Sequence, residues 1–541
     1  MVDIFRKIYK NNKSKVLLLS IMTVITSILG IGLPYLNGKF IDTLINLKEI
    51  NQIIKLISLI IILGGLNIVF NYIYQIVSSK LIIKSIYDLR IDILKHLRKI
   101  PILQYKEFDP VYMNERTRKD VSDVVNIIVN NYMNMFIKLI IFITCLFVVG
   151  YLNITTLLCI VLIVPIYIII YNYYSKNIYS SSFKVKENEN VFFKIYNEQL
   201  QLMEEIKIDS KYENHDNYVN YNFMNYFKSF SEYISLSTRF NTVESIISLV
   251  FQAVLFIFGA ISILKNRMSI GDLTIINSYF AIMIGIINYY VSLGKMYQES
   301  KVSIDRLKKI HDIKEEENGE LKLENINKID IDLNFSYRDG YQIINNKRAI
   351  FSSGKIYAIQ GSNGSGKTTL AKLIIGLYHP NSDSSSIKYN DEPIENVDIE
   401  FVRDKKIAFV SQKHKMTNKK VKELFTEIDR KVNIDSIIKY LKFFNDEKLI
   451  TESIELVKKF WNNAYYELSE GEKQIISIIR VLCKNPDVLI LDEPTSNLDF
   501  EKGKFLEKIL ENIKNKMIII IISHDKQFLD ISDEVIDLNS R

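Results

Sequence analysis

Five stretches of this chain run for twenty residues or more without a charged side chain: 16–35, 56–77, 139–175, 245–264 and 273–294. An uncompensated charge at mid-bilayer costs several kcal/mol, and a helix needs ~20 apolar residues to cross ~30 Å of hydrocarbon, so each stretch can span a membrane. The third has 37 residues and as one helix would measure ~55 Å, nearly twice the hydrocarbon thickness. It is therefore a hairpin turning at Gly150-Tyr151-Leu152-Asn153, with its first arm starting a little before Leu139 and Pro165 kinking the second. Six spans result.

The rest of the chain is too polar for a membrane bundle alone. Of 541 residues, 24% are charged and 48% hydrophobic, so a membrane part and a sizeable soluble domain share the polypeptide. With only 19 Gly and 8 Pro, collagen-like and disordered classes are excluded. The formal charge of +7 is spread without an arginine-rich stripe or stacking aromatics, which argues against nucleic acid as a partner. Cys145 and Cys159 lie in apolar runs and Cys483 far from both, so neither a disulfide framework nor a zinc cluster is expected and a reducing compartment is compatible. The basic start (Arg6, Lys7, Lys10, Lys13, Lys15) precedes an apolar run with no small-x-small cleavage site, as in a retained span.

Lys and Arg concentrate in the amino-terminal flank and in segments 78–132 and 176–244, whereas the segments near 36–55, 151–153 and 265–272 are short. Positive flanks prefer the cytoplasmic side, which places both termini in the cytoplasm of a multi-pass protein of the cell membrane. The two long inner segments keep a helical period, so paired spans are expected to continue as helices well beyond the bilayer. The membrane domain is assigned to 1–313, a polar connector to 314–320 and a soluble domain to 321–541. Within the last, β-rich stretches at 321–331 and 355–360 and a later alternation of helix and strand predict an α/β layer fold.

The chemistry is concentrated in that domain. Gly361-Ser362-Asn363-Gly364-Ser365-Gly366-Lys367-Thr368-Thr369 follows an apolar strand and precedes a helix expected near Leu370, the setting a phosphate loop requires. Its glycines let successive N–H groups face phosphate oxygens while the helix dipole adds positive potential. Lys367 supplies a full charge toward the β- and γ-phosphates, and Thr368 a hydroxyl for Mg²⁺. The apolar run 488–491 ends in Asp492 and Glu493, carboxylates presented at the C-terminal end of a buried parallel strand. Asp492 is assigned to Mg²⁺ and Glu493 to the attacking water, with His524, after the apolar run 517–522, reaching the γ-phosphate from the other side.

Leu468-Ser469-Glu470-Gly471-Glu472 resembles the signature segment of ATP-binding cassette transporters. The resemblance covers essentially the whole chain: six spans, then one nucleotide-binding domain, the half-transporter arrangement of that family's exporters. It implies ATP and Mg²⁺ as cofactors, Tyr337 as the aromatic that stacks on adenine, Gln412 as the metal-sensing glutamine, and Ser496-Asn497-Leu498-Asp499 as the segment after the catalytic glutamate. It also implies short transverse helices that press on the nucleotide-binding domains, placed near 108–113 and 209–214. Because a phosphate loop in this family faces the partner's signature segment, Ser469 and Gly471 serve a nucleotide held by a second half-transporter subunit. A homodimer is self-sufficient and a heterodimer is allowed.

Two residues depart from the family pattern. Glu470 stands where a glycine is usual and Glu472 where a glutamine is, and carboxylates near a polyanion weaken the site by on the order of 1 kcal/mol or less when solvent screens them. Slowed but real hydrolysis is expected. Polar groups within the spans, including Asn67, Asn71, Gln252, Asn277 and Asn288, either line a substrate cavity or bond helix to helix. The functional expectation is ATP-driven efflux of a peptide or other amphipathic compound. A lipid or multidrug translocator of the same build and a membrane ATP-binding regulator or immunity protein stand as alternatives. No amino-terminal peptidase with a catalytic cysteine is recognisable, so leader cleavage is not expected.

Overall fold

A computed structural model describes every residue except 1, 47–49, 109, 338–341, 381–384, 413–418, 429–432, 442–445, 497 and 540–541. The chain divides into two compact units, one formed by Met1–Ile100 and Lys106–Lys314, the other by Pro101–Tyr105 and Glu315–Arg541.

The first unit is all helical. Its six long apolar helices are Lys13–Ile45, Ile50–Leu97, Pro110–Leu152, Ile154–Gln201, Tyr212–Leu264 and Ile270–His311, here the first to sixth spans. With no water in hydrocarbon to satisfy backbone groups, helices that bond within themselves are what such sequences must form. The hairpin turns at Asn153, whose side chain accepts from the N–H groups of Thr155 and Thr156 and starts the fourth span; Pro165 lies within that helix. The fourth and fifth spans continue far past the apolar windows. There they are tied by Phe192, whose ring meets Phe223 at 5.6 Å and Tyr226 at 6.2 Å, and by a 2.6 Å hydrogen bond from Asn188 to Ser229.

One apolar core of this unit gathers Cys145, Tyr167, Leu255, Ile275 and Tyr279 from the third to sixth spans. A second packs Val121, Val124 and Ile128 against Ile304 and Leu307. Beside the second, Asp120 accepts from Ser303 at 2.9 Å, Arg306 pairs with Glu187, and Lys186 with Asp123 at 3.3 Å, so charges on the third, fourth and sixth helices neutralise one another. At the other end, Asp42 of the first span accepts from the Ser269 hydroxyl (2.9 Å) and the Gly271 N–H (2.8 Å), clasping the start of the sixth. Backbones meet there because Gly38 and Gly271 lack Cβ atoms: a methyl built on either would collide with the other's carbonyl.

The transverse helices differ from expectation. Residues 110–113 belong to the start of the third span, and the short helix is Ile102–Lys106. Pro101 offers no N–H to a preceding helix and opens this short one, while Pro110 opens the third span in the same way, so the short helix lies before rather than across 108–113. The second is Met203–Asp209, ended by Ser210 in the left-handed conformation (φ 52°), rather than 209–214. Asp109 lies outside the described residues.

The second unit contains two sheets. Strands β1 (Lys328–Ser336), β2 (Gln342–Ser352), β4 (Ser386–Tyr389) and β5 (Glu392–Pro393) form an antiparallel sheet in the order β2-β1-β4-β5. Strands β3 (Ile356–Gln360), β6 (Ile407–Val410), β7 (Val488–Asp492), β8 (Ile518–Ile522) and β9 (Glu534–Asp537) form a sheet ordered β6-β7-β8-β3-β9, with every pairing parallel. β7 and β8 are buried at every residue, as continuous apolar runs in a parallel sheet require. The expected strand at 321–331 begins only at Lys328; Leu321 contributes an isolated bridge to Val397.

Candidate nucleotide site

The site forms at the C-terminal ends of β3, β7 and β8, where an open parallel sheet presents its ligand-binding crevice. β3 runs into the loop 361–366 and then the helix Lys367–Ile374, which starts at Lys367, three residues before the expected Leu370. Gly364 (φ 87°) and Gly366 (φ 93°) occupy backbone space that side chains avoid, and this folds the loop tightly enough for its N–H groups to converge. The Lys367 ammonium lies across the loop, donating to the carbonyls of Gly361 (2.7 Å) and Ser362 (3.1 Å). Ser362 is steadied by Asn539, whose side-chain oxygen accepts from its N–H and hydroxyl. The sequence motif gave no signal for Asn539, because its partner lies 177 residues away. Asn363 and Gly364 are exposed, while the Ser365 hydroxyl is buried.

β7 brings the carboxylates to this loop. The Thr368 hydroxyl donates to Asp492 at 2.9 Å, and Gln412 donates to Glu493 at 2.5 Å. Burial pushes the Asp492 carboxyl above its usual range, with the Glu493 charge adding to the rise and the Thr368 hydrogen bond, Lys372 and Lys367 opposing it. Glu493 has φ 48°, a left-handed conformation that costs a residue with a Cβ about 1–2 kcal/mol, and its N–H donates to the Ile522 carbonyl of β8 at 2.8 Å. The Gln412 amide holds the Glu493 carboxylate at this turn. Hydroxyl, amide and carboxylate oxygens of Thr368, Gln412 and Asp492 form a hard donor set that fits Mg²⁺ shared with phosphates. Among the described residues no group of three or more His, Cys, Asp or Glu is placed to hold a metal ion.

Tyr337 stands just past β1, 42% exposed, its ring roughly perpendicular to that of Tyr378 with the centroids 5.7 Å apart, and its hydroxyl 2.6 Å from that of Thr369. Tyr378, stacked on Phe335, completes an aromatic support that the sequence motifs did not single out. His524 is exposed just past β8. Asn497 lies outside the described residues. Ser469 and Gly471 are elsewhere, at the start of the helix Glu470–Leu482, and among the described residues they make no hydrogen bond to the phosphate loop.

A six-helix apolar unit joined to a parallel-sheet domain with this loop narrows the comparison to one group of proteins. Residues 16–287 match the model of the ABC transporter transmembrane region, and 344–496 match the ABC transporter model. The chain belongs to the ABC transporters.

Nucleotide-binding domains of this family bind ATP and couple its hydrolysis to transport. The transporter is 24% identical over 538 residues to the lactococcin-A transport/processing ATP-binding protein LcnC of Lactococcus lactis, covering 96% of this chain and 74% of that one. It is 32% identical over 219 residues to a Haemophilus influenzae protein named "Probable ABC transporter ATP-binding/permease protein"; the match spans 40% of this chain and 39% of that relative's length. In fold it resembles a bacterial Atm1-family ABC exporter with ATP bound, at a TM-score of 0.84 and 16% identity over 97% of this chain and 93% of that one. The fold is that of exporter half-transporters, which function as dimers.

Proposed function

We propose that two copies of this transporter form an ATP-driven exporter of peptides or similar amphipathic compounds. The observation that carries the reading is the gathering of Lys367, Thr368, Gln412, Asp492 and Glu493 at the C-terminal ends of the parallel strands, in a chain that also holds six membrane-length helices. Lys367 neutralises the β- and γ-phosphates, with the loop N–H groups of 361–366 wrapping the chain of oxygens. Thr368, Asp492 and Gln412 would hold Mg²⁺, which supplies charge neutralisation on the phosphate oxygens when bound. Glu493 polarises and orients the attacking water and His524 meets the γ-phosphate opposite it. Tyr337 stacks on adenine, supported from behind by Tyr378.

Ser469 and Gly471 serve the nucleotide of the facing subunit, so ATP is sandwiched between two chains and its cleavage releases them. The Ile102–Lys106 and Met203–Asp209 helices transmit that cycle to the spans, and both termini lie in the cytoplasm. Transport of lactococcin-A by a relative matching nearly the whole chain supports a peptide as cargo. Polar residues within the spans divide. Gln252 donates to Asn277 at 3.2 Å across the fifth and sixth helices, which supports a helix-bonding role for these two; Asn71 bonds only to Asn67 one turn back on its own helix, so these two and Asn288 stay candidates for the substrate path.

The test is ATP-dependent uptake of candidate peptides into inverted vesicles by wild type and Glu493→Gln. Uptake by wild type alone supports the reading; equal uptake by both removes it, and stimulation of the ATPase by lipids or drugs but not peptides reassigns the cargo.

A further inference from the structure

The signature segment carries two added carboxylates, and the structure treats them differently. Glu470 is paired within its own helix: the Lys473 ammonium lies 2.7 Å from its carboxylate, one turn on. Glu472 has no ion-pair partner among the described residues. Its carboxylate instead turns back on the helix start, accepting from the Ser469 N–H at 3.0 Å and from the Ser469 hydroxyl at 2.8 Å. The Glu472 N–H meets the same hydroxyl at 3.4 Å, closing a reciprocal cap. Burial pushes the Glu472 carboxyl up, but these bonds to Ser469 and the fields of Lys459 and Lys502 more than offset that, so it stays ionised.

A hydroxyl has one proton. Directed at Glu472, that proton is not available to an anion approaching from outside, and the oxygen it serves is itself a negative charge at the point where the anion would arrive. We propose that Glu472 is a positioning residue that withholds the Ser469 hydroxyl from the γ-phosphate and thereby weakens nucleotide capture across the dimer. The inference rests on the reading of Ser469 as a contact to the facing subunit's nucleotide. Glu470, neutralised by Lys473, contributes little to the effect.

Glutamine at 472 can still cap the Ser469 N–H through its carbonyl oxygen, but as a neutral acceptor it holds the hydroxyl far more weakly and leaves it free to turn to a phosphate, which makes it the informative variant. In the full-length dimer reconstituted in lipid, Glu472→Gln should lower the KM for ATP by about three- to ten-fold with kcat undiminished, the size expected for one charge-assisted bond in a partly screened site. Glu470→Gln should shift KM by less than about two-fold, since a charge already paired contributes little at distance. In a Ser469→Ala background the gain from Glu472→Gln should vanish, because coupled residues are non-additive. An unchanged or raised KM in Glu472→Gln, an equal gain from Glu470→Gln, or a gain that survives Ser469→Ala overturns the proposal. Wild type that neither binds a fluorescent ATP analogue nor hydrolyses ATP would instead bring down the underlying reading of the site.

Discussion

Asp492 and Glu493 are adjacent, yet the fold imposes a different cost on each. Asp492 is buried beside Thr368, and its carboxyl is pushed above the ordinary range. The folded chain therefore holds that proton more tightly than the unfolded chain does, so its contribution to stability falls as pH rises through the folded-state value and recovers below it. Asp492→Asn should raise the thermal midpoint by about 1–3 °C at neutral pH while abolishing turnover, with the difference shrinking in acid. For Glu493 the cost is in the backbone. Glu493→Gly and Glu493→Ala both remove the carboxylate, but only Gly relaxes a φ of 48°, so Gly should be the more stable of the two by about 1 kcal/mol in denaturant unfolding. Equal stability would show that the turn is unstrained. The phosphate loop and the acidic pair were legible because each is a run of neighbours with a fixed chemical purpose. Asn539 and Tyr378 were not, since each acquires its role only when distant strands bring it to Ser362 or Tyr337.

Among the elements, apolar windows without charge located all six spans, because hydrocarbon penalises charge whatever the tertiary context. The turn at Asn153 was equally readable from local chemistry. Short helices were misplaced by several residues, since a five- or seven-residue helix has too few positions to show a period and its limits are set by packing. The clasp between Asp42 and the Ser269–Gly271 turn was invisible for another reason: its partners are more than 220 residues apart. Gly271→Ala should force the first and sixth spans apart and lower the thermal midpoint of the solubilised protein by several degrees, whereas the same change at Gly285, where a Cβ meets nothing within 4 Å, should lower it by less than about 1 °C. At the phosphate loop, a methyl on Gly366 would lie 2.7 Å from the Ile343 side chain at φ 93°, so Gly366→Ala should lose ATP binding together with stability.

At the scale of the whole molecule, a half-transporter with one phosphate loop and one signature segment predicts catalysis shared between copies. Wild type mixed with excess Lys367→Ala before assembly should lose turnover faster than its own dilution; activity falling only in proportion would show that single chains act alone. The fifth span has 53 residues, about 80 Å of continuous helix, of which the hydrocarbon takes about 30 Å. Some 50 Å of it therefore forms an arm beyond the bilayer, braced at Phe223 and Tyr226 by the ring of Phe192. Pivoting such an arm by about 10° at the bilayer swings its tip by roughly 9 Å, by simple trigonometry on the helical rise. Leverage of that kind lets a modest rearrangement at either end register as a large one at the other, and a proline set midway along the arm would squander the stroke without touching a single group that handles nucleotide or cargo.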